Sequence, residues 1–258
     1  MSNEYVRMRK STMDSIAKAI QEKEGSADPI PGAEMPARIE ALGGGLALET
    51  KAREISFPSL NVLGEADAKI NLDSATSLES LFRVDRDEDI NTTVEHLTIN
   101  CPNQVGSMSK AIAGRRDVTL KRITLNVDTS AATIMIYVFY GDKALEIIDG
   151  TPIDASKSTS ANALSGIFEY CSALKFVKFK GTISTNISFN SSEWLEKECI
   201  LNVFSCLSDE TSGLTATFHK RAVNRAFETS EGAADGSTSE EWLALVDTKP
   251  NWTISLRS

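Results

Sequence analysis

Few side chains in this chain are of types that do chemistry. Only two histidines occur, His96 and His219, each inside an alternating apolar stretch that reads as a strand, so a centre built on several imidazoles cannot be assembled. On such strands a histidine is expected as a surface or ladder residue. Asp85, Asp87, Glu88 and Asp89 cluster carboxylates as a hard cation would want them, but no glycine follows at the turn position and no glutamate closes a loop. They read as a solvated acidic bulge. Gly43-Gly44-Gly45 has neither a preceding strand nor a following Lys-Ser/Thr, which makes it a hinge and not a phosphate cradle. No Gly-x-Ser-x-Gly elbow and no Cys-His arrangement is present. Cys101, Cys171, Cys199 and Cys206 form no CxxC pair and lie in apolar segments, the setting of buried reduced thiols. These residues predict no catalytic centre, no metal and no cofactor.

What remains is aromatic. Exposed Tyr and Trp stack on sugars and anchor protein interfaces, and Tyr137, Tyr140, Tyr170 and Trp194 are the candidates for ligand binding. Tyr137 and Tyr140 flank Phe139. Phe139 and Phe168 are expected in the core, and Trp242 and Trp252 in an end cap.

The elements that must position them come from an internal repeat. With Val94, Leu120, Leu145 and Leu174 aligned, at intervals of 26, 25 and 29 residues, the position three later reads Leu97, Ile123, Ile148 and Val177. Each unit ends in an alternating stretch suited to a short strand, and the spacing is that of leucine-rich-type repeats. Phe139 and Phe168 each stand six residues before the leucine; Gly114 falls at that place before Leu120, so that unit reads as degenerate. An earlier candidate, Leu78-Glu79-Ser80-Leu81-Phe82, has its Phe, and Arg53 to Phe57 reads as a strand that opens the stack. Such a unit lays down one strand, crosses back through a short helix or turn, and closes a core only by stacking. Later strands at Leu214–His219 and Trp252–Leu256 follow a helical stretch from Trp194 to Leu207, with a longer spacing that suits an end cap.

Before the hinge at residues 43–52, residues 1–42 form a separate small module. Met13, Ile16 and Ile20 recur at helical spacing over Ser11 to Glu24, Asp28-Pro29-Ile30-Pro31-Gly32 turns the chain, and Met35, Ile39 and Leu42 share a side of a second helix. So small a module needs a partner, so Met13, Ile16, Ile20, Ile30, Met35, Ile39 and Leu42 are candidates for attachment or oligomerisation. The whole reads as an α+β chain: a small N-terminal helical module, then a leucine-rich-repeat-like solenoid of short strands and helices over residues 53–258.

Composition narrows the partners. With 27 Lys+Arg against 36 Asp+Glu the net charge is −9, which repels phosphate backbones and argues against nucleic acid and anionic membrane surfaces. The longest apolar run, Ala131 to Tyr140, is about half of the ~20 residues that cross a bilayer, and no secretory leader is legible at the N-terminus. Folding in a cytoplasm is expected, and the four Asn-x-Ser/Thr triplets at Asn91, Asn186, Asn190 and Asn251 then carry no meaning.

The run Ile167-Phe-Glu-Tyr-Cys-Ser-Ala-Leu-Lys-Phe-Val-Lys-Phe resembles leucine-rich repeats of the BspA-like kind, and the resemblance covers about residues 53–258. The segments Asn186 to Leu195, Leu214 to Lys220 and Lys249 to Ile254 resemble the closing part of such proteins in phages of Gram-positive hosts. Met13 to Leu42 resembles a short module found at the start of phage tail and baseplate-associated proteins. The resemblance implies a non-enzymatic virion tail or baseplate component, assembled in the host cytoplasm. Residues 1–42 would attach it to other tail proteins, as a homo-oligomer in the particle. Its solenoid would contact a host cell-surface glycan or protein. The alternative it leaves open is a purely architectural baseplate protein that touches only other tail proteins.

Overall fold

A repeat with one alternating strand can hide its apolar side only against the next repeat, and the chain stacks accordingly. The computed structural model describes residues 66–72, 75–82, 94–113, 119–227 and 236–258. The N-terminal module, the hinge, the strand expected at Arg53–Phe57, the acidic run at 85–89 and Gly114 lie outside the described residues.

Five strands, β1 (Asp67–Asn71), β2 (His96–Gln104), β3 (Arg122–Asp128), β4 (Ile147–Asp154) and β5 (Phe176–Lys180), form one parallel sheet in chain order. The architecture is a parallel-strand solenoid. Register places Ala68, Leu97, Ile123, Ile148 and Val177 in one inward row, and Ile70, Ile99 and Leu125 in another. All are buried. The two-residue period then turns Lys69, Thr98, Thr124 and Asp149 outward as a third row. Val94, Leu120, Leu145 and Leu174 do not open the strands: each stands two residues earlier, fully buried at a corner. The corner is shaped by backbone pairing. The carbonyl of Glu95 accepts from the N–H of both Lys121 and Arg122, that of Lys121 from Glu146 and Ile147, and that of Glu146 from Lys175 and Phe176. Coil after coil is therefore held in one register.

Across the coil from the sheet, the described residues before 197 return through turns, not helices. These turns form a second ladder between coils. Phe82 donates its N–H to the carbonyl of Ala111, Ile112 to that of Val138, and Phe139 to that of Ile167. Phe82, Ile112, Phe139 and Phe168 are thus equivalent positions, and Ile112, not Gly114, fills the aromatic place in its unit. That unit is regular here and only its return to Leu120 is longer. The same ladder aligns Ser80, Lys110, Tyr137 and Gly166, all with left-handed backbone at φ 56°, 54°, 54° and 62°. Only the last has no Cβ to strain that conformation.

From the fifth coil onward the two sides exchange roles. On the turn side, β6 (Ile187–Phe189), β7 (Leu214–His219) and β8 (Trp252–Arg257) form a second parallel sheet. Beside β5, where a sixth strand would lie, runs helix α1 (Lys197–Cys206). Its Asn202 imitates a strand: Oδ1 accepts from the Phe179 N–H at 2.7 Å and Nδ2 donates to the Phe179 carbonyl at 3.1 Å. Cys199 Sγ donates to the Val177 carbonyl at 3.3 Å. The open edge of the sheet is thereby satisfied, which an uncovered edge strand would not be. Helices α2 (Lys220–Phe227) and α3 (Glu240–Asp247) complete the long final units, α3 starting at Ser239, whose hydroxyl accepts from the Trp242 N–H at 3.1 Å.

One aromatic column runs from the turns into the second sheet and α1. Phe139 stacks on Phe168 at 5.7 Å, Phe168 on Phe189 at 4.9 Å, Phe189 on Phe218 at 5.7 Å and Phe218 on Phe204 at 5.6 Å, with Trp242 edge-on to the last two. Phe139 and Phe168 are core residues and Trp242 and Trp252 pack the end, as the sequence predicts. Phe168 is fully buried between two stacked neighbours, so Phe168→Ala loses both contacts and leaves a cavity that rigid strands cannot close. We expect a loss of about 3–5 kcal/mol in unfolding free energy by urea titration; a loss below about 1 kcal/mol would mean the column does not carry the stack.

Candidate functional site

The turn ladder brings three of the predicted binding residues together. Tyr137 and Tyr140 meet edge to face with ring centres 5.2 Å apart, and Tyr140 meets Tyr170 of the next coil the same way at 5.3 Å. Their segment is a turn. Left-handed backbone at Tyr137 (φ 54°) and Tyr170 (φ 65°) belongs to those turns. Tyr137 lies against Gly166, where any Cβ would run into its ring. Tyr170 is 49% exposed, and its N–H donates to Ser191 Oγ at 3.1 Å, while that hydroxyl donates to Asn190 Oδ1 at 3.3 Å. Burial first, then Tyr170, Glu169 and Tyr137, push the Tyr140 hydroxyl above its ordinary value, so it is a neutral donor at physiological pH.

Glu169, Gly166, Asn190 and Ser191 escaped the reading of the sequence. Glu169 was legible in principle, because it occupies in its coil the place of Tyr140 in the one before, next to Phe168 as Tyr140 is next to Phe139. Ser191 was not, because its coil has a different return length.

Trp194, the fourth candidate, is 53% exposed, and its recorded ring contact is with the Arg225 guanidinium, 4.3 Å above its face. Arg221 reaches Glu193 Oε2 at 2.8 Å from the same helix, α2. The candidate attachment residues, Met13, Ile16, Ile20, Ile30, Met35, Ile39 and Leu42, lie outside the described residues.

A polar network covers the outward face of the first sheet. His96 Nδ1 is 3.3 Å from Asp67 Oδ1, His96 Nε2 is 2.9 Å from Thr124 Oγ1, and Thr124 donates to Asp149 Oδ1 at 2.6 Å. Distances alone could suggest a nucleophilic hydroxyl with a histidine base. The hydrogen decides otherwise: Thr124 gives its only proton to Asp149, so toward His96 it accepts, the reverse of what a nucleophile awaiting deprotonation needs. Arg122 holds the other oxygen of Asp149, its Nε donating at 2.9 Å. His96 is thus a ladder residue. Beside it Asn100 donates to Asn71 at 2.6 Å and Asn126 to Asn100 at 2.7 Å, one rung per coil.

His219 departs from the expectation of a surface or ladder residue. It is buried at the end of β7, where its Nδ1 accepts from the Arg221 N–H at 3.2 Å and so helps start α2. Burial lowers its pKa, against the pull of Glu193. All four cysteines are free and buried. Burial raises Cys171 well above the ordinary thiol value and pushes Cys199 up to about 12, so neither is a nucleophile at neutral pH. Among the described residues no group of three or more His, Cys, Asp or Glu could hold a metal ion, and no helix is long and apolar enough to cross a membrane.

No protein-family model, no curated protein and no solved structure matches the chain. Its own geometry carries the functional reading.

Asp149 gives that geometry a pH signature. Although burial raises its carboxyl, hydrogen bonds from Arg122 and Thr124 outweigh it and hold the pKa below the usual carboxylate value. The stabilisation is therefore present above the unfolded value of about 3.9 and lost as pH falls through the lower folded value. We expect Asp149→Asn to destabilise at pH 7 by up to about 1 kcal/mol, with the gap from the parent closing as pH drops below about 4. Thermal melts of both proteins across that range check this; a gap that does not change with pH would contradict it.

Proposed function

We propose that this chain is a non-enzymatic component of a phage tail or baseplate, a BspA-like leucine-rich solenoid that holds a host cell-surface molecule against its turn side. The observation that carries the binding role is the cluster of Tyr137, Tyr140 and Tyr170: three adjoining rings, the outermost 49% exposed, on turns fixed by the ladder between coils. Aromatic side chains cost little conformational entropy to present and supply large contact areas. A solenoid keeps such a group at constant spacing from coil to coil. The resemblance of residues 13–42 to tail-associated modules supports the virion setting and assigns to residues 1–42 the attachment to other tail proteins. The net charge of −9 supports partners other than nucleic acid.

Gold-labelled antibody against residues 66–258, applied to particles from a lysing culture that expresses the gene, tests the assignment. We expect label at the distal end of the tail and competition by purified protein for adsorption to host cells. Label buried along the tail without competition would replace receptor contact by the architectural role, and label on no particle would overturn the virion reading.

A further inference from the structure

Building on the binding role proposed above, we infer that the cluster of Tyr137, Tyr140 and Tyr170 is a carbohydrate site for a neutral pyranose chain, and not for a phosphate-bearing polymer. The three rings are not coplanar. Interplanar angles of 83° and 87° between neighbours make a stepped cluster, with Tyr170 as its half-exposed outer ring. An aromatic face carries partial negative charge and takes the C–H side of a sugar ring. A stepped wall suits successive sugar units, whose mean planes also turn along a chain.

The charged group beside the wall, Glu169, is an acceptor. Glu169 stands in the place of Tyr140 one coil on, and its carboxylate acts on the Tyr140 hydroxyl. Beside Tyr170 lie Ser191 and the carboxamide of Asn190, already joined to each other. A carboxylate accepts from vicinal sugar hydroxyls, whereas it repels a phosphodiester, and the charge of −9 on the whole chain acts in the same direction.

The wall is also preorganised. The Tyr137 N–H donates to the Ser165 carbonyl of the next coil at 3.0 Å and Gly141 to that of Glu169 at 2.9 Å, while the Tyr140 N–H closes its own turn on the Tyr137 carbonyl at 3.4 Å and the Tyr170 N–H is held by Ser191 Oγ at 3.1 Å. Gly166 lets the Tyr137 ring lie against the neighbouring coil. Little ordering remains to be done when a ligand arrives, so the protein's share of the entropy cost of binding is small.

Titration calorimetry of the full chain tests this, with a panel of neutral hexose and N-acetylhexosamine oligosaccharides and, separately, poly(glycerol phosphate). We expect binding of at least one neutral oligosaccharide, weakened about tenfold or more in Tyr170→Ala and in Tyr140→Ala and retained in Tyr170→Phe. Alanine and phenylalanine share the side-chain cost of the positive φ at Tyr170, and thermal melts of each variant confirm that the fold is kept. Binding to no neutral oligosaccharide, binding unchanged in both alanine variants, or binding to poly(glycerol phosphate) instead would overturn the inference. Adsorption of labelled protein to intact bacterial cells separates the two proposals. Cells that take up parent and Tyr170→Ala equally leave host contact standing and remove the sugar site. Saccharide binding with adsorption to no cell removes host contact and keeps the sugar site.

Discussion

The constraint on which everything else depends is that no coil of this chain can bury its own apolar side. Each strand contributes two or three inward residues, too few for a core, and only the neighbour above and below removes them from water. Register is then critical, because a slip of one residue would turn Ile70, Ile99 and Leu125 outward and bring Lys69, Thr98 and Thr124 inside. Two backbone ladders hold that register. At the corners one carbonyl takes two N–H groups from the next coil, and on the turn side N–H groups reach across at Phe82, Ile112 and Phe139. The stacked phenylalanines fill the space between.

The surface follows from the same constraint. A side chain facing outward in one coil meets its equivalent in the next, so like residues form ladders and unlike charges alternate. Asn71, Asn100 and Asn126 show the first; Glu95 with Lys121 at 2.9 Å and Glu146 with Lys175 at 2.6 Å show the second. Exposed pairs of this kind add little energy each. Their effect is to keep like charges from stacking along the edge. The tyrosine cluster lies on the turn side, where aromatic rings and not polar pairs meet from coil to coil.

Much of the stack was legible in the sequence because its signal is periodic. Leu97, Ile123, Ile148 and Val177 recur at near-constant intervals and take one inward row, and β7 begins and ends where alternation placed it. Val94, Leu120, Leu145 and Leu174 recur as regularly as the strand residues because each is buried at the corner two residues before its strand. β1 escaped because Asp67-Ala68-Lys69-Ile70-Asn71 offers only two inward residues, one of them alanine. The equivalence of Ile112 with Phe139 was hidden because Ile112 stands eight residues before Leu120 where Phe139 stands six before Leu145, which shifts a count made back from the leucine onto Gly114. The candidate binding residues were legible as residue types, but their meeting was not. Contact between Tyr140 and Tyr170 depends on the exact registration of two turns, and Trp194 goes to Arg225 because α1 and α2 replace the regular coil there.

The turn side must be as firmly held as the sheet, since a tyrosine cluster on loose turns would lose its shape. Amide hydrogen exchange across residues 94–227 measures this directly. The account predicts that the turn donors Tyr137, Phe139 and Gly141 are protected to the same order as Ile123, Leu125 and Ile148 in the sheet and open with them as one unit. Fast exchange at those three turn positions, with the sheet still protected, would contradict it.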